Sequence, residues 1–350
     1  MFSLLDFRFR AARDGGFAAL GLLACGDAEP KDTSTVTPEE TDTDTLTDTD
    51  TGTPPDTGTS TAGPDPMTVP LGETCTMEQK YGDFRVESFD TDLHYSVVAG
   101  RVADAVVPVT ILEEIGNEGD CLLLRRNNPF CDPNCAPDET CDFGICIPYP
   151  AGQDLGTVSL GGLLEAVDMT PVGAAMDYFD TTVPHPPYAP GALVALTSSG
   201  GDHPPIELYG VGVEPLTLTS GDLLMTAGMD LALTWDVPVG PARSEIWAQL
   251  NVDQHGITPV LLTCETLDDG EFVVPASLID ALLAQGVTGY PNATVHRRTT
   301  DSAPFSDGCL DFKIASVRAP QLRVAGFNPC TSDFNCTPPQ TCNLTTGLCE

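Results

Sequence analysis

The sequence predicts a mainly β protein: an antiparallel β-sandwich or jelly-roll body, small disulfide-stapled modules, and a disordered N-terminal linker. Three observations carry this. Short apolar runs rich in β-branched residues recur from about Val69 onward, punctuated by Gly and Pro roughly every ten residues, which is the pattern of many short strands. Two compact groups of four cysteines, Cys131 to Cys146 and Cys330 to Cys349, flank the longest such region. Ahead of them lies a Thr/Asp tract almost free of apolar residues, which cannot bury enough surface to offset chain entropy.

The chain divides into residues 1–25, 26–66, 67–150, 151–325 and 326–350. In the first stretch Arg8, Arg10 and Arg13 precede the apolar run Phe17 to Ala24, in the order of a secretory signal. The run is shorter than the roughly 20 residues a membrane-spanning helix needs. It ends in Leu22-Leu23-Ala24-Cys25, which resembles the lipobox of bacterial lipoproteins. The resemblance implies that Cys25 is lipidated, becomes the mature N-terminus and tethers an exported chain to the envelope, at the outer membrane or cell surface.

Residues 26–66 contain eleven acidic residues and one Lys. Self-repulsion and scattered prolines favour an extended tether, reaching roughly 35–40 Å as a coil or about 130 Å in polyproline form. The run Thr41 to Asp50 alternates Thr and Asp but lacks the Gly and Glu positions of an EF-hand loop. Formal net charge is −36, from 51 acidic and 15 basic residues, and the excess is not confined to the tether. So acidic a surface repels phosphate backbones, which excludes nucleic acid as a partner.

Between residues 67 and 150, Phe84 to Phe89 alternates, while Tyr95 to Ala99, Ala105 to Leu112 and Cys121 to Leu124 read as further strands. The first cysteine module then matches the last one: Cys135-Ala136-Pro137-Asp138-Glu139-Thr140-Cys141 against Cys336-Thr337-Pro338-Pro339-Gln340-Thr341-Cys342, each closing on Gly, an aliphatic and Cys. The modules resemble small EGF-like or knottin-like units. A stretch of about twenty residues has no core of its own, so covalent staples must hold it; the competing chemistry is a four-cysteine zinc site. First-to-third and second-to-fourth pairing is expected in each module. Cys75 and Cys121 are then left for each other, and Cys264 and Cys309 for a bridge closing about 45 residues, worth roughly 3–4 kcal/mol. Thirteen cysteines are present, and removing Cys25 leaves an even twelve.

In residues 151–325 the expected strands are Thr157 to Leu160, Ala192 to Leu196, Ile206 to Val211, Leu216 to Thr219, Leu223 to Thr226 and Leu231 to Trp235. Ile246 to Val252, Pro259 to Cys264, Glu271 to Val274, Ala293 to His296 and Leu310 to Val317 complete the set. Asp268-Asp269-Gly270 reads as a hairpin turn joining the strands on either side. One helix is expected over Ala276 to Gln285, opened by Pro275 and stopped by Gly286. The stretch Leu233 to Pro238 followed by Ile246 to Leu250 resembles the second and third strands of fibronectin type III or immunoglobulin-like domains.

None of the common catalytic motifs is present, so a non-enzymatic adhesion, recognition or structural role is expected, with a surface protein or glycan as partner and no cofactor. Trp247 has the opposite parity to Ile246, Ala248 and Leu250, which places it off the core face as a platform for a sugar ring. Calcium is the one cation with a candidate rim: Asp253, His255, Asp268 and Asp269. A metal-assisted hydrolase is the remaining alternative, built on His185 and His203 of the two His-Pro-Pro tripeptides.

Overall fold

The computed structural model describes residues 64–91, 93–240, 243–253, 259–287 and 291–350. In chain order the strands are β1 (Lys80–Asp90), β2 (His94–Val102), β3 (Leu112–Glu118), β4 (Cys121–Arg126), β5 (Glu139–Asp142) and β6 (Ile145–Pro148). They continue as β7 (Val158–Gly161), β8 (Val167–Met169), β9 (Tyr178–Asp180), β10 (Leu193–Ser198), β11 (Glu207–Val211), β12 (Leu223–Met225) and β13 (Leu231–Thr234). Next come β14 (Glu245–Asn251), β15 (Val260–Leu267), β16 (Glu271–Val274), the helix α1 (Ala276–Leu283), β17 (Asn292–Phe305), β18 (Gly308–Arg318) and β19 (Leu322–Val324). The hairpin β20 (Cys342–Asn343) and β21 (Leu348–Cys349) ends the chain.

The protein is mainly β, and one nine-stranded sheet organises it, in the order β3-β4-β15-β14-β17-β18-β1-β2-β9. Strands from residues 80–126 thus share a layer with strands from residues 178–318. Nor is the sheet purely antiparallel, as expected: β1 runs parallel to β18 from Lys80↔Cys309 to Phe89↔Val317, and β12 runs parallel to β19. A four-stranded sheet (β11-β10-β7-β8) and the pairs β12-β19 and β13-β16 supply the facing layers.

Two apolar cores lie on the same face of the long sheet. The first gathers Leu123, Ile246, Ala248, Leu250, Leu262 and Val295 under Trp235, Val274 and the α1 residues Leu278, Ile279 and Leu282. The second gathers Phe84, Val86, Val98, Phe312 and Ile314 under Leu160, Leu196 and Leu208. Gly100 on β2 admits Phe84, whose ring carbon Cδ1 would lie 2.0 Å from any added Cβ.

Between the cores runs a polar seam. Arg297, 1% exposed, donates from Nε to Oδ2 of Asp268 (2.7 Å) and from Nη2 to Oδ1 (3.1 Å). Its remaining donors reach the carbonyls of Pro215 (3.1 Å) and Asp236 (2.5 Å). Asp268 also accepts from Trp235 Nε1 (2.8 Å) and Ser244 Oγ (2.6 Å), so both partners are nearly saturated. Along the same seam Thr299 Oγ1 bonds Val211, and Ser316 Oγ accepts from the Leu216 N–H.

Several local expectations are corrected. Asp268-Asp269-Gly270 is not a hairpin: β15 pairs with β14 and β4, whereas β16 crosses to pair with β13. The turn carries the chain from one layer to the other because Asp268 is drawn into the seam. Ala105 to Leu112 holds a 3-10 turn at Pro108–Thr110, in the connection between β2 and β3 on opposite flanks of the sheet. Leu216 to Thr219 forms no strand, but an isolated bridge at Leu218↔Trp235 with flanking backbone hydrogen bonds to Thr234 and Asp236.

Six disulfides tie the described residues together. Both modules close first to third and second to fourth: Cys131–Cys141, Cys135–Cys146, Cys330–Cys342 and Cys336–Cys349. The other two pairings expected from sequence order are corrected to Cys75–Cys309 and Cys121–Cys264. Cys121 and Cys264 are direct cross-strand partners on β4 and β15, and Cys309 is the second residue of β18, opposite Lys80 at the start of β1. Each bridge closes a loop long enough to remove about 5 kcal/mol of unfolded-chain entropy.

Replacing Arg297 by Met leaves the Asp268 charge buried without its counter-ion. The expected loss is about 3–5 kcal/mol in urea unfolding, with part recovered on adding Asp268→Leu. An unchanged midpoint in the single variant would show that the seam holds nothing together.

Candidate functional site

The face of the long sheet turned away from both cores carries side chains of opposite parity, and strand register sorts them into rows. One row reads Tyr95, Phe89, Val317, His296, Trp247 and Glu265; the next reads Val97, Glu87, Ala315, Arg298 and Glu245. Beyond it lie Ala99, Arg85, Lys313 and Thr300, then Arg101, Asp83, Asp311 and Ser302. An aromatic-rich row therefore borders rows of paired charges.

A cleft of about 570 Å³ opens on this face, lined by Arg243, Glu245, Glu265, Arg298 and Thr300 and walled by residues 71–74. That wall is fixed to the interior strands β17 and β18: the Gly72 N–H donates to Asp301 Oδ1 (2.6 Å), Cys75 N–H to Asp311 Oδ1 (2.9 Å), and Ser302 Oγ to the Glu73 carbonyl. Gly72 is required there, since a Cβ would lie 2.6 Å from the Ser302 carbonyl oxygen. In the cleft, Arg298 binds Glu245 (2.8 Å) and Glu265 (2.6 Å) at once, and its guanidinium carbon sits 5.5 Å from the Trp247 ring centre.

The charges are interlocked. Lys80 bridges Asp83 (2.7 Å) and Asp311 (3.1 Å), and Lys313 also reaches Asp311 (3.0 Å). Burial pulls the Lys313 ammonium down to about 8, helped by Lys80 beside it. Burial opposes ionisation of Asp83, but Lys80, Lys313 and Arg85 overcome it and hold that carboxyl well below the usual range. Glu265 is raised by burial and then by Glu245, against the pull of Arg298. Burial lowers His296 to about 3, with Arg298, Lys313 and Arg85 acting the same way.

Of the residues singled out in the sequence, Trp247 lies on this face, half-buried, with His296 edge-on at 4.9 Å. Among the described residues of the calcium rim, Asp268 has its carboxylate already engaged by Arg297, Trp235 and Ser244. Asp269 is exposed, Asp253 follows the end of β14, and His255 lies outside the described residues. His185 and His203 share no ligand group: His203 bonds Gln153 (3.1 Å) and packs on Phe305 at 4.3 Å, whereas His185 sits against Asp90. Cys25 lies outside the described residues, and the other twelve cysteines named above are all in disulfides. Sequence reasoning missed Arg298, Glu245 and Glu265, because they come from three strands, β17, β14 and β15, whose pairing is not written in any local pattern.

No family model matches the chain, and no curated protein matches it. Among solved structures, the crystal structure of chicken CNTN1 FN1-FN3 domains is similar at 9% identity, covering 63% of this chain and 78% of that one, with a TM-score of 0.19. A superposition that loose adds nothing to the fold described above. No helix among the described residues is long and apolar enough to cross a membrane.

Because folding holds His296 neutral while the unfolded chain protonates near 6.5, the native state binds fewer protons in between, and stability falls as pH drops through that window. The contribution amounts to about 2 kcal/mol between pH 6.5 and about 5. His296→Gln should flatten the unfolding free energy over that interval; an unchanged slope would contradict a buried neutral imidazole.

Proposed function

We propose that the protein is exported, held at the bacterial envelope by a lipid on Cys25, and serves there in a non-enzymatic recognition or structural role. The observation that carries this is the thiol inventory: the twelve cysteines from Cys75 to Cys349 are closed in six disulfides, leaving Cys25 as the only cysteine of the sequence outside the set. Such bonds persist in oxidising compartments, which the export reading supplies. The acidic tether would then hold the β body away from the membrane. In cell fractionation, wild type should sediment with membranes and Cys25→Ser should appear in the soluble exported fraction. Membrane retention of the Cys25→Ser protein would remove the anchor.

A second reading, glycan binding, is favoured by the cleft beside Trp247. Its paired Glu and Arg side chains offer acceptors and donors to hydroxyls, and the adjoining indole offers an apolar face. On a glycan array, wild type should bind a subset of sugars, with the signal lost in Trp247→Ala and Arg298→Ala. Blank arrays for all three proteins would dismiss the reading.

A further inference from the structure

Asp90 closes β1, His94 opens β2, and His185 arrives from the connection after β9. The turn between the first two strands brings Asp90 and His94 to one rim, four residues apart. One carboxylate oxygen and two imidazole nitrogens there lie within 4.8 Å of one another. Asp90 Oδ1 is 2.9 Å from His185 Nε2 and 3.6 Å from His94 Nδ1. Ligand atoms about 2.0–2.1 Å from a tetrahedral zinc ion stand about 3.3 Å apart, so the two separations straddle that edge length. The two imidazole centres are 5.4 Å apart, tilted by 49°.

The surroundings hold these groups in place. His185 Nδ1 lies 3.2 Å from Ser96 Oγ and 3.5 Å from Ser88 Oγ, which orients Nε2 towards Asp90. Ser316 Oγ donates to Asp90 Oδ2 at 3.3 Å, leaving Oδ1 for the imidazoles. Metal-binding histidines and carboxylates are anchored through their second atom in this way. Exposure is graded: Asp90 12%, His185 19% and His94 64%, so a fourth position would face solvent.

We propose that Asp90, His94 and His185 form a divalent transition-metal site. Two imidazoles and one carboxylate suit Zn²⁺, whereas Ca²⁺ and Mg²⁺ prefer all-oxygen sets. The competing account is a Ser96–His185–Asp90 hydrogen-bond relay without a cation, and it gives His94 no part.

The test uses the full mature chain, stripped with EDTA and titrated with Zn²⁺ by calorimetry, with Co²⁺ as a spectroscopic substitute. One Zn²⁺ per chain is expected, together with the intense visible bands of four-coordinate Co²⁺. His94→Ala and His185→Ala should each weaken binding more than about tenfold, and Ser96→Ala by about tenfold. His203→Ala should change nothing. His94 is exposed, so its variant is expected to fold, and circular dichroism checks that. Absence of Zn²⁺ binding at about 100 μM, or undiminished affinity in His94→Ala, overturns the proposal.

Discussion

The parallel ladder between β1 and β18 is the interaction on which the rest of the fold depends. It unites strands more than two hundred residues apart, and β2 and β9 reach the main sheet only through β1. Without it the second core would lose Phe84, Val86 and Val98 from its floor. Parallel pairing between distant segments is entropically costly to establish. Cys75–Cys309 lies at the start of this ladder, where Lys80 faces Cys309, so the covalent staple sits where loop-closure entropy opposes folding most.

One sheet carrying two cores on one face needs something between them that excludes water without merging them. Arg297 does this with a charge whose donors are almost all satisfied, and Asp268 meets it from the turn after β15. A buried ion pair is weak evidence of net stability, since desolvation offsets much of the attraction. Its geometric demand is a different matter. Trp235, Ser244 and the carbonyls of Pro215 and Asp236 must all converge on one point, which fixes how β13 and the loop before β12 seat against β17. On the opposite face, ion pairs among Lys80, Asp83, Asp311 and Lys313 let charged rows pack closely beside Val97, Ala315 and Val317, all buried.

Local structure was legible in the sequence where period and punctuation are local. The alternation of Phe84 to Phe89 and Ile246 to Leu250, the helix after Pro275, and the repeated Cys-x-Pro-x-x-Thr-Cys all correspond to elements of the fold. Partnership between distant segments was not. Alternation says which face a residue takes, never which strand lies beside it, so Cys75 and Cys121 looked like neighbours when their partners lie 234 and 143 residues away. The run His296-Arg297-Arg298-Thr299-Thr300-Asp301 hid most of β17, because both its faces are polar: one lies in the seam, the other beside the cleft. Asp268 read as a turn acid because its partner lies 29 residues away on another strand. Trp247 was legible from parity alone, whereas the cleft beside it depends on Arg298 arriving from β17 and Glu265 from β15.

The central claim is that residues 75 to 309 form one covalently closed body around a shared sheet. Peptide mapping under non-reducing conditions, with thiols blocked at the outset, tests it most directly. The account predicts linked peptides joining Cys75 to Cys309 and Cys121 to Cys264, with no blocked thiol at any of the twelve cysteines from Cys75 onward. Peptides joining Cys75 to Cys121 and Cys264 to Cys309 would contradict it, because those bonds belong to two separately folded segments.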